Sequence, residues 1–224
     1  MRKYLLHVLI ISFVFLSMPV LHSVEEENGR SGGKASTSLT IQDELTYDSS
    51  FSPNLRSSYR ELSVSQVQSM SNISIRRKKN WGFFGHSTIS HSYSQRDING
   101  DNVVVDKATG LMWHQSGSSK KMPFVNAKEW VKSLNSRGYA GYNDWRLPTV
   151  EEATSLLESS KSNGRYIFPV FSKKQECIWT GDSTNGYSPG PQSEAVWGVD
   201  YYYGFVYWFN VLSSYCVRPV RSMK

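Results

Sequence analysis

Seven residues, Asn143 to Thr149 (Asn-Asp-Trp-Arg-Leu-Pro-Thr), constrain this chain more than any other stretch because they fix where a helix must begin. The Thr149 hydroxyl can cap a helix over Val150 to Glu158. Glu152, three positions later, can return to the Thr149 amide, and Pro148 bars helical extension upstream. Ala153, Leu156 and Leu157 then share one face, an apolar stripe for which Trp145 and Leu147 are the nearest cover. The segment reads as a packing hub. Asp144 can accept backbone amides, Arg146 can pair with a carboxylate under a sheet, and Trp145 fills core volume. The rival reading is a catalytic Asp–Arg pair.

Helix and strand signals surround the hub in an order that implies an α+β fold. Before it, Asp97 to Asn102 is a turn, Val103 to Val105 a strand, Asp106 to Gly110 a second turn and Leu111 to Trp113 a second strand, so a hairpin is expected. The alternation of Asp97, Asn99 and Asp101 suggests a calcium loop. Gly100 sits too early for one and no Glu stands at the twelfth position, so the turn reading is preferred. Lys120 to Gly138 is a helix: Ala127, Trp130, Val131 and Leu134 recur on one face, Pro123 suits its first turn and Gly138 its end. After the hub, Asn163 and Gly164 mark a turn and Phe168 to Phe171 an apolar plug. Four strands are expected at 176–180, 195–201, 205–211 and 215–221, with Gly204 turning between the middle two and a long loop over 183–193.

The first half reads differently. Arg2 and Lys3 followed by the apolar run Leu5 to Leu16 form a secretory signal, residues 1–23, with Ser23 suited to cleavage. The run is shorter than the roughly 20 apolar residues of a spanning helix, so no integral membrane span is expected in the mature form. Residues 24–96 are expected as a disordered Ser-rich tail. Ser31 to Ser94 holds seventeen serines and shows no sustained period, whereas six of the seven tryptophans follow residue 97. A single domain over 97–224 follows. The formal charge of +6 is mild even with the two leader cations counted, and it is no nucleic-acid signature. Its densest part is the run Arg76, Arg77, Lys78, Lys79 beside Trp81, either solvated chain or a contact for an anionic polymer.

Cys177 and Cys216 are the two cysteines. In an exported chain an even count favours a disulfide between them, closing a loop of about 40 residues; two buried thiols is the alternative. No histidine has a ligand-spaced partner within 97–224, and the pair His86 and His91 in the tail is a weak zinc signal. No cofactor or metal is therefore expected.

Several pieces stand in a recognisable order: Val105, Asp106, Thr109 to Trp113; Trp130; Asp144 to Thr149 and Glu152; Ile178 to Thr180; Ala195, Trp197, Val199 and Gly204; then Val217, Arg218, Pro219, Val220 and Arg221. This order resembles the Lcl C-terminal domain family, named for a bacterial collagen-like surface protein, over about 97–222. The resemblance implies a C-type-lectin-like domain with two helices and a twisted antiparallel sheet, related to the formylglycine-generating enzymes. It also implies a secreted, periplasmic or cell-surface setting. Departures count too. Pro219 stands where relatives commonly have a Cys, no collagen-like Gly repeat is present, and Trp208, Phe209 and Asn210 lack the second carboxylate of a calcium-dependent sugar site.

A ligand-binding module, an adhesin for polysaccharide or host matrix protein, is the expected function. Its proposed contacts are Trp197, Tyr201, Tyr203, Tyr207, Trp208 and Asn210, because strand alternation must turn about half of the clustered aromatics outward. The alternative is an exported enzyme related to the formylglycine generators. Cys177 and Cys216 do not stand in the paired arrangement that enzyme implies, so an enzyme is the lesser reading.

Overall fold

Antiparallel sheets and a few helices make up this α+β structure, a computed structural model that describes residues 53–184 and 194–223. All of them fall in one unit, Leu45–Lys224. In chain order the elements are α1 (Val64–Val67), β1 (Ile73–Lys79), β2 (Gly82–Ser87), β3 (Tyr93–Ile98), β4 (Asp101–Asp106) and β5 (Leu111–His114). They continue with α2 (Phe124–Ser136), α3 (Val150–Ser155), β6 (Cys177–Ser183), β7 (Ala195–Asp200), β8 (Phe205–Asn210) and β9 (Val220–Ser222). One sheet has the order β1-β2-β8-β7-β6 and the other β3-β4-β5-β9.

The expected hairpin at Val103 to Trp113 is present, with Val104 opposite Trp113 and Val105 opposite Met112. Alternation then divides the interior. Val104, Leu111 and Trp113 join a first core with Ile178, Trp197, Val199, Val206 and the α3 residues Val150 and Ala153. Val103, Val105 and Met112 face a second core with Ala127, Val131 and Leu134 of α2, Trp145, Leu147, Trp179 and Phe209. Each sheet is thus buried over part of both faces. α2 ends as its sequence requires, with Gly138 in the left-handed conformation at φ 66°. Asn163 and Gly164, both at positive φ, close a tight turn between Ser162 and Arg165.

The disordered-tail expectation is corrected for residues 53–96, which are folded. β2 completes the large sheet by pairing with β8, Phe83 standing opposite Val206, and β1 adds an outer strand. β3 pairs with β4 along its whole length. Leu62, Val67 and Phe83 are buried in the first core. These apolar residues are scattered through polar sequence, and their partners lie more than a hundred residues away, so no local period announces them. Residues 1–52, including the expected signal and the start of the tail, lie outside the described residues, as does most of the loop after β6.

The last expected strand is also shorter than its sequence suggested. Tyr215 and Cys216 make single bridges to Met122 and Ile178, and continuous pairing begins only at Val220. Pro219 has no amide to donate, and its carbonyl instead accepts the His114 N–H at 2.9 Å.

Candidate functional site

The hub is a closed polar network. Thr149 caps α3 by accepting the Glu152 N–H, and the Glu152 carboxylate accepts the Thr149 N–H at 2.8 Å, the reciprocal box its sequence implied. The same buried carboxylate receives both Arg146 terminal nitrogens at 2.7 and 2.6 Å. Arg221 grips Asp144 through two bonds of 2.7 and 3.1 Å and lies over the Tyr142 ring. Trp145 donates its indole N–H to the Tyr139 carbonyl. The charges of Arg146 and Asp144 are matched by Glu152 and Arg221, which is how a structural joint is built.

The proposed aromatic contacts separate into two groups. Trp197 and Tyr201 are fully buried, so their assignment to ligand binding is corrected. The Trp197 indole donates to the Leu62 carbonyl and the Tyr201 hydroxyl to the Ala153 carbonyl, bonds that hold the first core together. Trp208 packs against that core from its partly buried position. The Asn210 side chain accepts the Leu212 N–H, shaping the turn after β8. Tyr203, in contrast, is 59% exposed. Asp200 holds Tyr202 and Tyr203 outward by accepting both of their amides at 2.8 Å. Burial pushes the Asp200 carboxyl up against the opposing pull of those two bonds.

Around Tyr203 and Tyr207 the structure gathers residues that sequence reasoning missed. Tyr203 stacks on Phe205 with centroids 6.0 Å apart, and Trp81 lies edge-on to Phe84, Phe205 and Tyr207 at 5.2 to 5.6 Å. Pairing of Phe84 with Phe205, and of Gly82 with Tyr207, puts these rings on one face of β2 and β8. Gly82 has φ 149° and a Cβ there would stand 2.1 Å from the Val206 carbonyl oxygen, so only glycine lets the strands approach this closely. The period-2 run Tyr203, Phe205, Tyr207 was the available signal for Phe205. Trp81 and Phe84 gave none, because they arrive through a long-range strand pairing.

The basic run lies on β1, the outer strand of the same sheet, with Arg76, Arg77 and Lys78 exposed. Arg77 stands opposite Phe84 and its guanidinium lies 4.6 Å from that ring. Further along the surface, Lys161 and Arg165 approach the Tyr202 ring at 4.5 and 4.6 Å, and Arg76 approaches Tyr166 at 5.9 Å. Ring contacts from Phe84 through Phe205 and Tyr203 to Tyr202 thus connect Arg77 with Lys161 and Arg165, although of these rings only Tyr202 and Tyr203 are exposed.

The thiols are free, which corrects the expected disulfide. Cys216 donates its amide to the Cys177 carbonyl, so the two are neighbours, yet Cys177 belongs to the second core and Cys216 to the first. Side chains buried on opposite faces of one sheet cannot meet in a bridge. Burial raises both thiols above their ordinary value, so neither environment favours a thiolate nucleophile. His91 is likewise no zinc ligand: its ring nitrogens lie 2.7 Å from Asp106 and from the Ser155 carbonyl. Among the described residues no cluster of three or more His, Cys, Asp and Glu could hold a metal. No helix among them is long and apolar enough to cross a membrane.

Comparison with known protein families matches residues 102–221 to the Lcl C-terminal domain. No curated protein matches the chain.

Proposed function

Because this chain belongs to the Lcl C-terminal domain family, whose members suggest a surface or secreted domain, we propose that it is an exported ligand-binding module that recognises an anionic polysaccharide. One observation carries the reading: Arg77 on β1 and the half-buried rings of Trp81, Phe84, Phe205 and Tyr207 lie together at the β1–β2–β8 end of the large sheet, with the exposed Tyr203 stacked on Phe205. Rings of this kind offer flat apolar platforms to sugar faces, and the neighbouring cations meet sulfate or carboxylate groups. The same reading assigns the domain to the C-type-lectin-like fold. Its support is the antiparallel pairing of β5 with β9, which joins the start of the matched segment to its end around α2 and α3. Residues 1–23 act as the export signal in this reading.

Cations on an outer strand also discourage edge-to-edge sheet pairing, and that role needs no ligand. Binding of the full chain to dextran sulfate and to neutral dextran, at rising salt, separates the two. Selective binding of the sulfated polymer is expected, weakening steeply with salt and with Arg77→Ser plus Lys79→Ser. Tyr203→Ala should weaken it by about 1 to 2 kcal/mol. Equal indifference to both polymers, with the Arg77/Lys79 variant turning aggregation-prone, would leave only the protective role.

A further inference from the structure

A second candidate lies beside the hub and shares no residue with the aromatic face. Here α2, the hub and the segment before α1 enclose a cleft of about 660 Å³. This is the size of a small-molecule site. Phe124, Trp145 and Leu147 give it an apolar lining, and Tyr59 closes one side. Tyr59 is held there by donating its hydroxyl to the Leu147 carbonyl at 2.9 Å. Its ring lies so close to Gly181 that a Cβ at that position would stand 2.1 Å away, so the absence of a side chain on β6 makes room for the wall.

Every charged residue lining the cleft is a cation: Lys128, Lys132 and Arg146. Arg146 is neutralised by Glu152, as described above, which leaves the two lysines. They are four residues apart on α2 and so project from the same side of the helix. Lys132 is 3.9 Å from Glu129, but both side chains are more than two-thirds exposed and such a pair contributes little. The Lys128 ammonium stands 5.2 Å from the Phe124 ring, so one of the two cations borders the apolar lining. Apolar walls beside two exposed, weakly held positive charges fit one class of ligand.

We propose that this cleft binds a small amphiphilic anion, its apolar body on Phe124, Trp145 and Leu147 and its single carboxylate between Lys128 and Lys132. The site is independent of the polymer face.

Titration calorimetry of the full chain with octanoate and with 1-octanol tests this. One saturable octanoate site is expected, with octanol weaker. Lys128→Gln together with Lys132→Gln should weaken octanoate about tenfold, the scale of one lost charge-assisted contact, and leave octanol unchanged. Ser136→Trp, an exposed position on the cleft lining, should abolish both by filling it. Thermal melts confirm that each variant is folded, and the Arg77/Lys79 variant should bind octanoate normally. No saturable binding, equal affinity for acid and alcohol, or unchanged binding by Ser136→Trp would each overturn the proposal.

Discussion

His114, at the end of β5, stacks on Tyr139 with ring centroids 4.2 Å apart and accepts the Gly117 N–H on its Nδ1. Burial above all, then the nearby Arg218 and Arg137, lowers its pKa to about 3, so it is neutral when folded. Unfolded, it takes up a proton near 6.5. The folded state therefore binds fewer protons, and the stability this gives is complete above pH 6.5 and lost progressively as pH falls toward 3. The swing should be on the order of a few kcal/mol. Urea unfolding at pH 4.5 and pH 7 should show it, and His114→Gln, which keeps an acceptor for Gly117, should flatten the difference; an unchanged slope would discount the assignment. Asp106 acts in a separate window. Burial raises it, yet bonds from His91, Thr109 and the Ser92 amide outweigh that and hold it below its ordinary 3.8, so its contribution fades only at lower pH. Arg218 shows the limit of reading single residues from sequence. Fully buried and with no acidic partner among the described residues, it donates to the carbonyls of His114, Gln115 and Ser172 and ties the end of β5 to the segment around Ser172.

At the scale of elements, α3 and its entry turn were legible because a capping box is local: donor and acceptor are three residues apart. The anchoring of α3 was not. Asp182 on β6, fully buried, accepts both Arg56 terminal nitrogens at 2.8 and 2.9 Å. It also takes the Arg60 and Val150 amides at 2.7 Å each. One carboxylate thus fastens the segment before α1 to the first turn of α3. Asp182→Ala leaves Glu151, 3.5 Å from the Arg56 Nε, as that guanidinium's remaining carboxylate and takes the acceptor from the Arg60 and Val150 amides, so it should cost about 2 to 3 kcal/mol. Denaturant melts measure the loss, and native-state proteolysis should show new cleavage around residues 53–62. A loss under about 1 kcal/mol would mean that the segment is held by its other contacts, such as the Thr149 hydroxyl donating to the Arg56 carbonyl.

For the whole molecule, the contributions of β1, β2 and β3 remove the boundary that composition suggested at Asp97. A chain starting there loses Phe83 from over Val206 and the Leu62 carbonyl from the Trp197 indole, leaving apolar area and a buried donor exposed. It should melt well below the full chain and with reduced cooperativity; matching melts would restore the boundary. The sequence by itself determined the local and periodic features: the hub and its cap, the Val103 to Trp113 hairpin, α2, the strand run from Cys177 to Asn210, and so the α+β class and the family. Those signals lie within a few residues of one another, where helix and strand periods are visible. Only the tertiary structure decided that Ser-rich sequence becomes sheet, that Trp197 and Tyr201 are core, that the cysteines face different cores, and that the basic run meets the aromatic rings. Each depends on strand pairing across tens to more than a hundred residues, which selects the face a side chain occupies, and no local pattern encodes that choice.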